Sequence, residues 1–498
     1  MIVPCRLIRI LSLMLAVLAV PVAREWAAPI ESNSVPGYML LLDSMGRVVT
    51  VPTNEVPSTF RPAADIGVKH QIPGPTAGSS MPQEILQRVR EGVAGFQLFP
   101  STPPPLMPYL ASQDDYGNTA IRPGALVYPF VPLEGLVQGA KYRLSECGFR
   151  YSLDQTLTFV SLSDVMKGDN DLSYYTFDLK SKWALFNAPD AGTAGWISSQ
   201  VEAKTGLDSA GNNQSAKSNL GTVTDPTGIW SDVNGIRVPE FAWQQSARHG
   251  EIVVVAGMVS QRNYIDRNAY ADSGRSKFMN SALINSEVLP LAQYNFGVNL
   301  QWQPADEWYA MAGGSMGNAP AGFAPWADFS GENWSVPGEI GYAPRDIFDL
   351  GPGVYRIQPF AAEVNGSTGG GLCFDLQQQL GSDSPLGWFG RFGFGGSKVS
   401  DGASAQAGSG FVLQGPFRHM LFERTSNDLL GVGFVWSQPS STTKTVYHEN
   451  EYVLEMVYAL QLTPTIKIQP DFQTIWDPAF HRDTDQAMVF QLQLVMAW

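Results

Sequence analysis

The carboxyl-terminal stretch "AMVFQLQLVMAW" alternates between two kinds of residue. One parity carries only large apolar side chains, namely Met488, Phe490, Leu492, Leu494, Met496 and Trp498. The other parity mixes small residues with amides, namely Ala487, Val489, Gln491, Gln493, Val495 and Ala497. A period of two is typical of a β-strand, because successive side chains point to opposite faces of a sheet. The stretch therefore predicts a terminal strand with one purely apolar face.

The same alternation recurs in "YTFDLKSKWALF", "FGVNLQWQ", "LLGVGFVW", "YVLEMVYAL" and "TIKIQPDFQTIW". A water-soluble sheet would turn its apolar parity into a core, whereas a transmembrane barrel turns it toward lipid and lines a wet lumen with the polar parity. The strand-like segments run about nine to twelve residues, the length that a tilted strand needs to cross a bilayer. Their apolar rows end in aromatic residues typical of interfacial girdles, namely Trp302, Trp436, Tyr452, Trp476 and Trp498. Both features favour the barrel.

The composition agrees with this interpretation. Charged residues make up only 16% of the 498 residues, and the net charge is -14 without any run of lysine or arginine, which excludes nucleic acid as a partner. No segment has eighteen consecutive apolar residues, so the mature chain would cross a membrane only as a closed barrel. The region after residue 133 has room for about 16 strands at roughly 20 to 25 residues per strand and connection. The predicted fold is therefore an all-β, transmembrane antiparallel barrel.

Two segments precede the predicted barrel. Residues 1–28 read as a signal peptide, with two arginines before an apolar run and small residues at the cleavage region 23–28. Residues 29–133 contain 16 of the 35 prolines and read as an extension. Within this extension, "GYMLLLDSMGRVVTVP" predicts a hairpin, and "SMPQEILQRVREG" predicts a short helix near residues 82–92. The barrel is assigned to residues 134–498.

No catalytic, cofactor or metal site is expected. The segment "GGSMG" at residues 313–317 matches a nucleophile elbow, but Pro320 and Pro325 oppose the helix that this motif needs. The five histidines lack the spacing of zinc ligands, and the glycine clusters lack the Lys-Ser/Thr of a phosphate loop. Cys147 and Cys373, the two cysteines of the mature chain, allow one long-range disulfide but no disulfide framework.

Residues 134–498 resemble the OprB-like carbohydrate-selective porins. The resemblance rests on "YRLSECGFRYSLDQTLTFVSL", "FAWQQSARHGEIVVVAGMVSQRNY", "LPLAQYNFGVNLQWQPADEWYAMAGGSMGNA" and "YVLEMVYALQLTPTIKIQPDFQTIWDPAF". It implies a barrel of about 16 strands in the outer membrane of a Gram-negative bacterium, passing sugars and small polar solutes passively, without a cofactor. The final strand resembles the signal read by the barrel-assembly machinery, although this chain ends on tryptophan where such barrels more often end on phenylalanine. The long extension also departs from the family pattern.

A sugar channel needs hydroxyl-matching donors and acceptors around its constriction. The candidates of lumen parity are Arg356, Gln358, Arg391, Glu455, Lys467, Gln469, Asp471, Gln473, Gln491 and Gln493. The segment "NYIDRNAYADSGRSKF" at residues 263–278 is too polar and irregular for a strand, so it is expected to form an extracellular or inward-folded loop. It would bring Asp266, Arg267 and Arg275 near the pore.

Two other functions fit parts of the sequence. A porin of general or different selectivity would have the same barrel and admit other solutes. A secreted all-β glycosidase or carbohydrate-binding protein would also carry tryptophan-rich faces and scattered carboxylates. Solubility of the mature protein without detergent separates this second alternative from a barrel, whereas the sequence does not name the solute or the oligomeric state.

Overall fold

Sixteen strands form one closed antiparallel barrel in the computed structural model. The structure describes residues 38–42, 48–52, 141, 144 and 148–497, apart from gaps at 189–191, 208–213, 229–234, 272–273, 317–332, 382–383, 417–427, 441–444 and 463–464. Successive barrel strands are hydrogen-bonded neighbours, and the terminal strand pairs with the first, in register from Val489 with Leu162 to Ala497 with Asp154. The prediction of a barrel of about 16 strands, closed by the terminal strand, is confirmed.

The barrel strands are β3 (Phe149–Leu162), β4 (Asp171–Ala188), β5 (Thr193–Gly206), β6 (Gly235–Ala247), β7 (Ile252–Val259), β8 (Asn295–Ala305), β9 (Trp308–Met316), β10 (Trp334–Tyr342), β11 (Gly353–Val364), β12 (Ser367–Gln379), β13 (Leu386–Gly395), β14 (Ala403–Gln414), β15 (Leu429–Pro439), β16 (Glu451–Gln461), β17 (Ile466–Trp476) and β18 (Gln486–Ala497). Two short helices, α1 (Ala216–Leu220) and α2 (Ser281–Ile284), lie in connections.

The amino-terminal extension contributes one described element. Strands β1 (Tyr38–Leu42) and β2 (Val48–Pro52) pair as an antiparallel hairpin, as the sequence predicts. The predicted helix near residues 82–92 and Cys147 lie outside the described residues. Cys373 is a buried free thiol on β12. No helix among the described residues is long and apolar enough to span a membrane.

The outer surface of the barrel is apolar. On β18, Phe490 and Leu492 expose 52% and 38% of their surface, whereas Gln491 and Gln493 on the other parity are fully buried. Val432 and Phe434 on β15 are likewise exposed. This arrangement inverts that of a water-soluble sheet, because the large apolar parity faces outward and the polar parity faces inward. The strands therefore have the pattern of a barrel that contacts lipid.

Aromatic side chains mark both rims of this apolar surface. Trp436 on β15, Tyr452 on β16 and Trp476 on β17 are register neighbours at one end of the barrel. Trp302 on β8 and Trp308 on β9 are exposed near the other end. These positions match the girdles predicted from the sequence, since indole and phenol rings favour the boundary between lipid tails and headgroups. Trp498 lies outside the described residues.

The two ends of the barrel differ in their connections. One end, called the long-loop end, carries the connections from β5 to β6, from β7 to β8 and from β9 to β10. The other end, called the short-loop end, carries tight turns such as residues 306–307 and the terminus of β18. Residues 260–294 are called the inner loop and residues 214–228 the strap, because both fold into the lumen.

A charge on the outer face tests this orientation. Val432→Arg places a guanidinium at mid-height on β15 and should lower the free energy of unfolding by about 2–4 kcal/mol, since lipid solvates charge poorly. Gln438→Arg, on the same face beyond the aromatic girdle, should cost at most about 1 kcal/mol. Denaturant titration of the purified protein in phospholipid would measure both, and equal costs would contradict a lipid-facing surface.

Candidate functional site

The inner loop crosses the lumen and hydrogen-bonds to walls on several sides. It begins after β7 with a 3-10 turn (Gln261–Asn263), and Asn263 and Tyr264 contact Glu240 on β6. Farther along, Asp266 reaches Arg391 on β13, and Asn280 reaches Glu455 on β16. The sequence predicted either an extracellular or an inward-folded loop here, and the structure has the inward-folded one. The lumen is therefore partly filled by the chain itself.

A buried ionic cluster joins the inner loop to the wall formed by β10 to β13. Arg356 Nη1 donates to Asp375 Oδ1 at 2.8 Å, and Arg391 Nη2 lies 3.1 Å from Asp375 Oδ2. Arg391 Nε donates to Asp266 Oδ1 at 3.3 Å, and Arg356 Nε lies 3.5 Å from Glu339 Oε1. All five side chains are buried. The ionic cluster therefore comprises Asp266, Glu339, Arg356, Asp375 and Arg391.

Neutral side chains add hydrogen bonds around this cluster. Gln358 donates to Glu339 Oε2 at 2.8 Å, and Tyr309 donates to the other oxygen of the same carboxylate. Asn268 of the inner loop donates to Asp375 Oδ1 at 2.8 Å. Buried charges are tolerated only where such partners replace the lost water. The cluster is thus a joint between strand wall and loop.

Arg391 also donates hydrogen bonds to the backbone of the inner loop. Its Nη1 donates to the carbonyl oxygens of Ala271 and Leu283. Asp266, which it contacts by Nε, has a φ of 64° and accepts from the Ser286 amide at 2.6 Å. One arginine therefore fixes segments of the loop that are far apart in sequence. Asp266 adopts a left-handed backbone conformation, which aspartate tolerates better than most residues.

The wall formed by β16 to β18 holds both loops through carboxylates. Glu451 accepts from the Val223 and Thr224 amides of the strap at 2.8 and 3.1 Å. Glu455 accepts from the Met279 and Asn280 amides of the inner loop, the latter at 2.9 Å. Hydrogen bonds from backbone amides to a carboxylate are among the stronger ones in proteins. These two glutamates therefore position the strap and the inner loop side by side.

Glutamines on the same wall bind backbone carbonyls of the loops. Gln473 and Gln491 both donate to the Pro226 oxygen of the strap, at 2.8 and 2.7 Å. Gln469 donates to the Lys277 oxygen of the inner loop at 2.7 Å. Gln473 and Gln491 also donate to Asp471 Oδ1. Several side chains that the sequence predicted to face a water-filled lumen are thus bonded to the backbone of the loops.

Glycines on β15 make room for apolar loop side chains. A Cβ on Gly431 would lie 2.9 Å from Phe278, and one on Gly433 would lie 2.9 Å from Leu283. Phe278 also packs against Phe389 of β13, with ring centroids 5.2 Å apart. A larger residue at either glycine would force these apolar side chains of the inner loop to shift. The glycines that alternate with large residues in "LLGVGFVW" therefore allow the loop to pack closely against β15.

Several polar side chains on β18, β3 and β4 are buried without a hydrogen-bond partner among the described residues. Thr156, Thr158 and Thr176 on β3 and β4, and the Gln493 amide on β18, have no hydrogen bond to any described residue. Gln493 and Thr158 are register partners, so these groups form one patch. An unsatisfied buried polar atom costs about 1–3 kcal/mol. The patch therefore lacks the anchoring hydrogen bonds that hold the loops elsewhere on the wall.

A row of acidic residues crosses β3 to β5 at mid-height. Asp154, Asp178 and Glu202 are register partners on neighbouring strands and form the acidic row. Arg275 of the inner loop reaches this row, with Nη1 3.2 Å from Asp178 Oδ2. Burial disfavours the charged guanidinium, but the carboxylates of the acidic row outweigh it and raise the pKa of Arg275. Arg275 therefore stays charged in the lumen.

Basic residues adjoin the acidic row on both sides. Lys180 lies one step nearer the short-loop end, and Lys204 lies one step nearer the long-loop end. Asp154, Lys180 and Lys204 keep partial exposure, and so do Glu202 and Arg275. On β10 to β18, by contrast, the lumen-facing polar side chains at mid-strand are buried. The partly exposed side of the lumen, called the open side, therefore follows β3 to β5, although Asp178 and the patch around Thr158 on the same strands are buried.

The thirteen predicted pore residues fall into distinct groups. Arg356, Gln358, Arg391 and Asp266 meet in or beside the ionic cluster. Those on the wall from β16 to β18 are Glu455, Lys467, Gln469, Asp471, Gln473, Gln491 and Gln493. These eleven are buried, whereas Arg267 and Arg275 keep partial exposure. Contact between any of the thirteen and a solute stays a prediction, and the contacts described above anchor loops.

Sequence reasoning missed several charged residues of the lumen. Glu339 and Asp375 of the ionic cluster and the three members of the acidic row were not among the candidates. A signal was present for Asp178, which stands on the polar parity of "YTFDLKSKWALF". Glu339 and Asp375 become functional only through contacts with the inner loop, and strand parity carries no information about which loop residue arrives opposite.

The possible nucleophile elbow is part of a strand. Ser315 lies on β9, which continues to Met316, and its hydroxyl is 2.9 Å from that of Ser335 on β10. A nucleophile elbow instead places its serine on a sharp turn after a strand. The observed position therefore supplies no catalytic geometry.

Comparison with protein families gives one match. The model of the "Carbohydrate-selective porin, OprB family" matches residues 193–363 and 357–496, which is more than half of the chain. No curated protein matches the sequence. The matched region begins at β5 and ends in β18, so it includes the inner loop and most of the barrel wall.

Comparison with solved structures gives matches to bacterial porins. A high-pH structure of Pseudomonas putida OprB has a TM-score of 0.60 and 14% sequence identity, and the match covers 76% of this chain and 99% of that chain. A low-pH structure of the same protein has a TM-score of 0.47 and 15% identity, covering 73% and 97%. Pseudomonas aeruginosa OccK11 has a TM-score of 0.41 and 8% identity, covering 70% and 95%. At this identity the first structure supports the fold alone.

Removing an arginine from the ionic cluster should loosen the inner loop. Arg391→Met removes the cation that pairs with Asp266 and leaves Asp375 with Arg356 alone, so it should lower the free energy of unfolding by about 3–5 kcal/mol. Arg262→Met, which removes the exposed ion pair with Asp401, should cost less than about 1 kcal/mol. Denaturant titration and limited proteolysis of the inner loop would compare the two variants, and similar stabilities would refute the anchoring role.

Two threonines test the unpartnered patch. Thr158→Val removes a hydroxyl without a partner and should leave the free energy of unfolding unchanged or raise it by up to about 1 kcal/mol. Thr224→Val removes a hydroxyl that donates to Glu451 Oε1 at 2.9 Å and should cost about 1.5–3 kcal/mol. If the Thr158 variant loses as much stability as the Thr224 variant under the same titration, the patch has a partner after all.

Proposed function

The chain belongs to the OprB family of carbohydrate-selective porins, and we propose that carbohydrates cross its lumen between the inner loop and the wall of β3 to β5. As a porin of this family it is a passive channel and not an enzyme. The observation that carries the proposed path is the distribution of partly exposed charged side chains. They lie along β3 to β5 and on the facing part of the inner loop, while the charged side chains on the opposite wall are buried in anchoring contacts.

The chemistry of this side suits neutral polyhydroxyl solutes. A sugar hydroxyl both donates and accepts, and the open side offers acceptors at Asp154 and Glu202 and donors at Lys180, Lys204 and Arg275. Charges of both signs alternate within one or two residue steps, so the path presents no single-sign ring that would select one class of ion.

The outer membrane of a Gram-negative bacterium is the proposed location. The family and the closed barrel with a lipid-facing surface both point to it. Outer-membrane barrels have short periplasmic turns and longer extracellular loops. The short-loop end would therefore face the periplasm, and the inner loop and strap would enter from the cell surface. Strand β18, with its exposed apolar parity, is the proposed contact for the barrel-assembly machinery.

The outward-facing apolar residues argue against one of the two alternative functions but not against the other. A secreted glycosidase would bury its apolar parity, whereas Phe490, Val432 and their neighbours lie on the outside. A porin of different selectivity would share every feature of the barrel wall. Selectivity therefore depends on the residues along the open side and needs a direct measurement.

Single-channel recording in a planar bilayer tests the proposed path. The mature protein should give stepwise conductance that a series of mono- and oligosaccharides blocks in a concentration-dependent way. Arg275→Met should weaken this block by about tenfold, because a charge-assisted hydrogen bond to a hydroxyl contributes about 1.4 kcal/mol or more. Arg262→Met, whose partner Asp401 lies on an exposed loop, should leave the block unchanged.

Each other result has a defined meaning. Conductance without block by any sugar would favour the porin of different selectivity. Sugar block that is equal in the Arg275 and Arg262 variants would keep the carbohydrate porin but move the path away from Arg275. Absence of channels from correctly folded protein would overturn the proposal as a whole.

A further inference from the structure

Three side chains with metal-ligating atoms meet where two loops of the long-loop end touch. His448 belongs to the connection between β15 and β16, and Asp477 and Asp485 flank the connection between β17 and β18. One imidazole nitrogen and one oxygen from each carboxylate lie within 4.8 Å of one another. His448 Nδ1 is 3.9 Å from Asp477 Oδ1. None of these residues takes part in the contacts that hold the inner loop.

Backbone hydrogen bonds hold the two loops together beneath this cluster. The Tyr447 and His448 amides donate to the Ala479 oxygen at 2.8 and 3.3 Å. The Asp477 amide donates to the Asp485 oxygen at 2.8 Å, which closes the second loop at its base. The three side chains therefore converge on a scaffold that the backbone already fixes, and little ordering is left for a ligand to impose.

The orientation of the imidazole leaves an electron pair facing the carboxylates. His448 Nε2 is 3.1 Å from the His481 carbonyl oxygen, which can only accept, so Nε2 carries the proton of the neutral ring. Nδ1 is then an acceptor directed at Asp477. A histidine that donates its second ring nitrogen to a backbone carbonyl is the common arrangement around metal sites, because the bond fixes the tautomer and the ring plane.

Three acceptor atoms converge in this cluster, and a cation between them would offset their mutual repulsion. Within the described part of the chain, no side-chain hydrogen bond joins any two of His448, Asp477 and Asp485. Two carboxylates and an electron pair at this distance repel in the absence of a cation. We propose that these residues form a binding site for a divalent transition-metal ion of the zinc class, which would link the two loops at the mouth of the barrel.

The donor set favours this class of ion over calcium or magnesium. One imidazole nitrogen and two carboxylates, with water in a fourth position, match a tetrahedral zinc site, whereas calcium takes six to eight oxygen ligands. Bonds of about 2.0–2.2 Å place tetrahedral ligand atoms roughly 3.3–3.5 Å apart. The 3.9 Å separation of His448 Nδ1 and Asp477 Oδ1 is slightly longer than this value, and the Asp485 oxygen lies within 4.8 Å of both.

The site was not expected from the sequence, where the histidine spacing indicated no metal centre. Its ligands come from two connections separated by the whole of β16 and β17. Only the antiparallel return of the chain to the same end of the barrel brings them together. Short motifs detect ligands on one helix or one turn, and this cluster contains neither.

Calorimetric titration with Zn²⁺ would test the site on the full mature porin in detergent after treatment with a chelator. We expect one Zn²⁺ per chain, at least about tenfold weaker binding in His448→Ala and in Asp485→Asn, and weaker binding of Ca²⁺ than of Zn²⁺ to the unaltered protein. Asp483→Asn is the matched control, since this exposed residue of the same loop lies outside the cluster, and it should bind Zn²⁺ like the unaltered protein.

Several results would overturn the assignment. They are absence of stoichiometric Zn²⁺ binding, equal binding by the His448 variant, an equal loss in the Asp483 variant, or a preference for Ca²⁺. Heat-modifiable migration in gel electrophoresis would establish that each variant is folded before titration. Channel conductance is measured separately, so failure of the metal site and failure of the proposed sugar path are distinguishable.

Discussion

The hydrogen-bonded closure between β18 and β3 is the constraint on which the rest of the molecule depends. Lipid offers no partner for backbone amides and carbonyls, so a sheet that contacts lipid must leave no open edge. Pairing of the terminal strand with Phe149–Leu162 removes both edges at once. With the cylinder closed, apolar parity must face outward and polar parity must line the lumen, and every later feature of the site follows from that division.

The inner loop and the strap divide the lumen of this barrel into two sides. On one side, buried arginines and carboxylates hold the inner loop against β10 to β13, and glutamates and glutamines hold it and the strap against β16 to β18. Such contacts are costly to bury and therefore specific, because each charge requires its partner in place. On the other side, Arg275 meets the acidic row, and the neighbouring charged side chains stay partly exposed. The proposed path for carbohydrates is the part of the lumen that the anchoring contacts leave free.

Particular residues show how far sequence reasoning extended. Parity placed Gln469, Asp471 and Gln473 on the inner face correctly, because strand geometry is local and repeats every two residues. Parity could not reveal that Gln473 would bind the oxygen of Pro226, which is far away in the chain. The same limit hid Glu339 and Asp375, whose roles arise from the inner loop, and the meeting of His448 with Asp477 and Asp485 across two connections.

The sequence by itself determined the strand pattern, the inverted faces and the family, since these depend on periodicity and on local motifs such as the closing strand. Only the tertiary structure decided which side of the lumen is open, which charges are paired and which loops meet. The physical reason is that a closed barrel brings residues together by strand order and by the inward course of its loops. Neither leaves a periodic trace in the residues concerned.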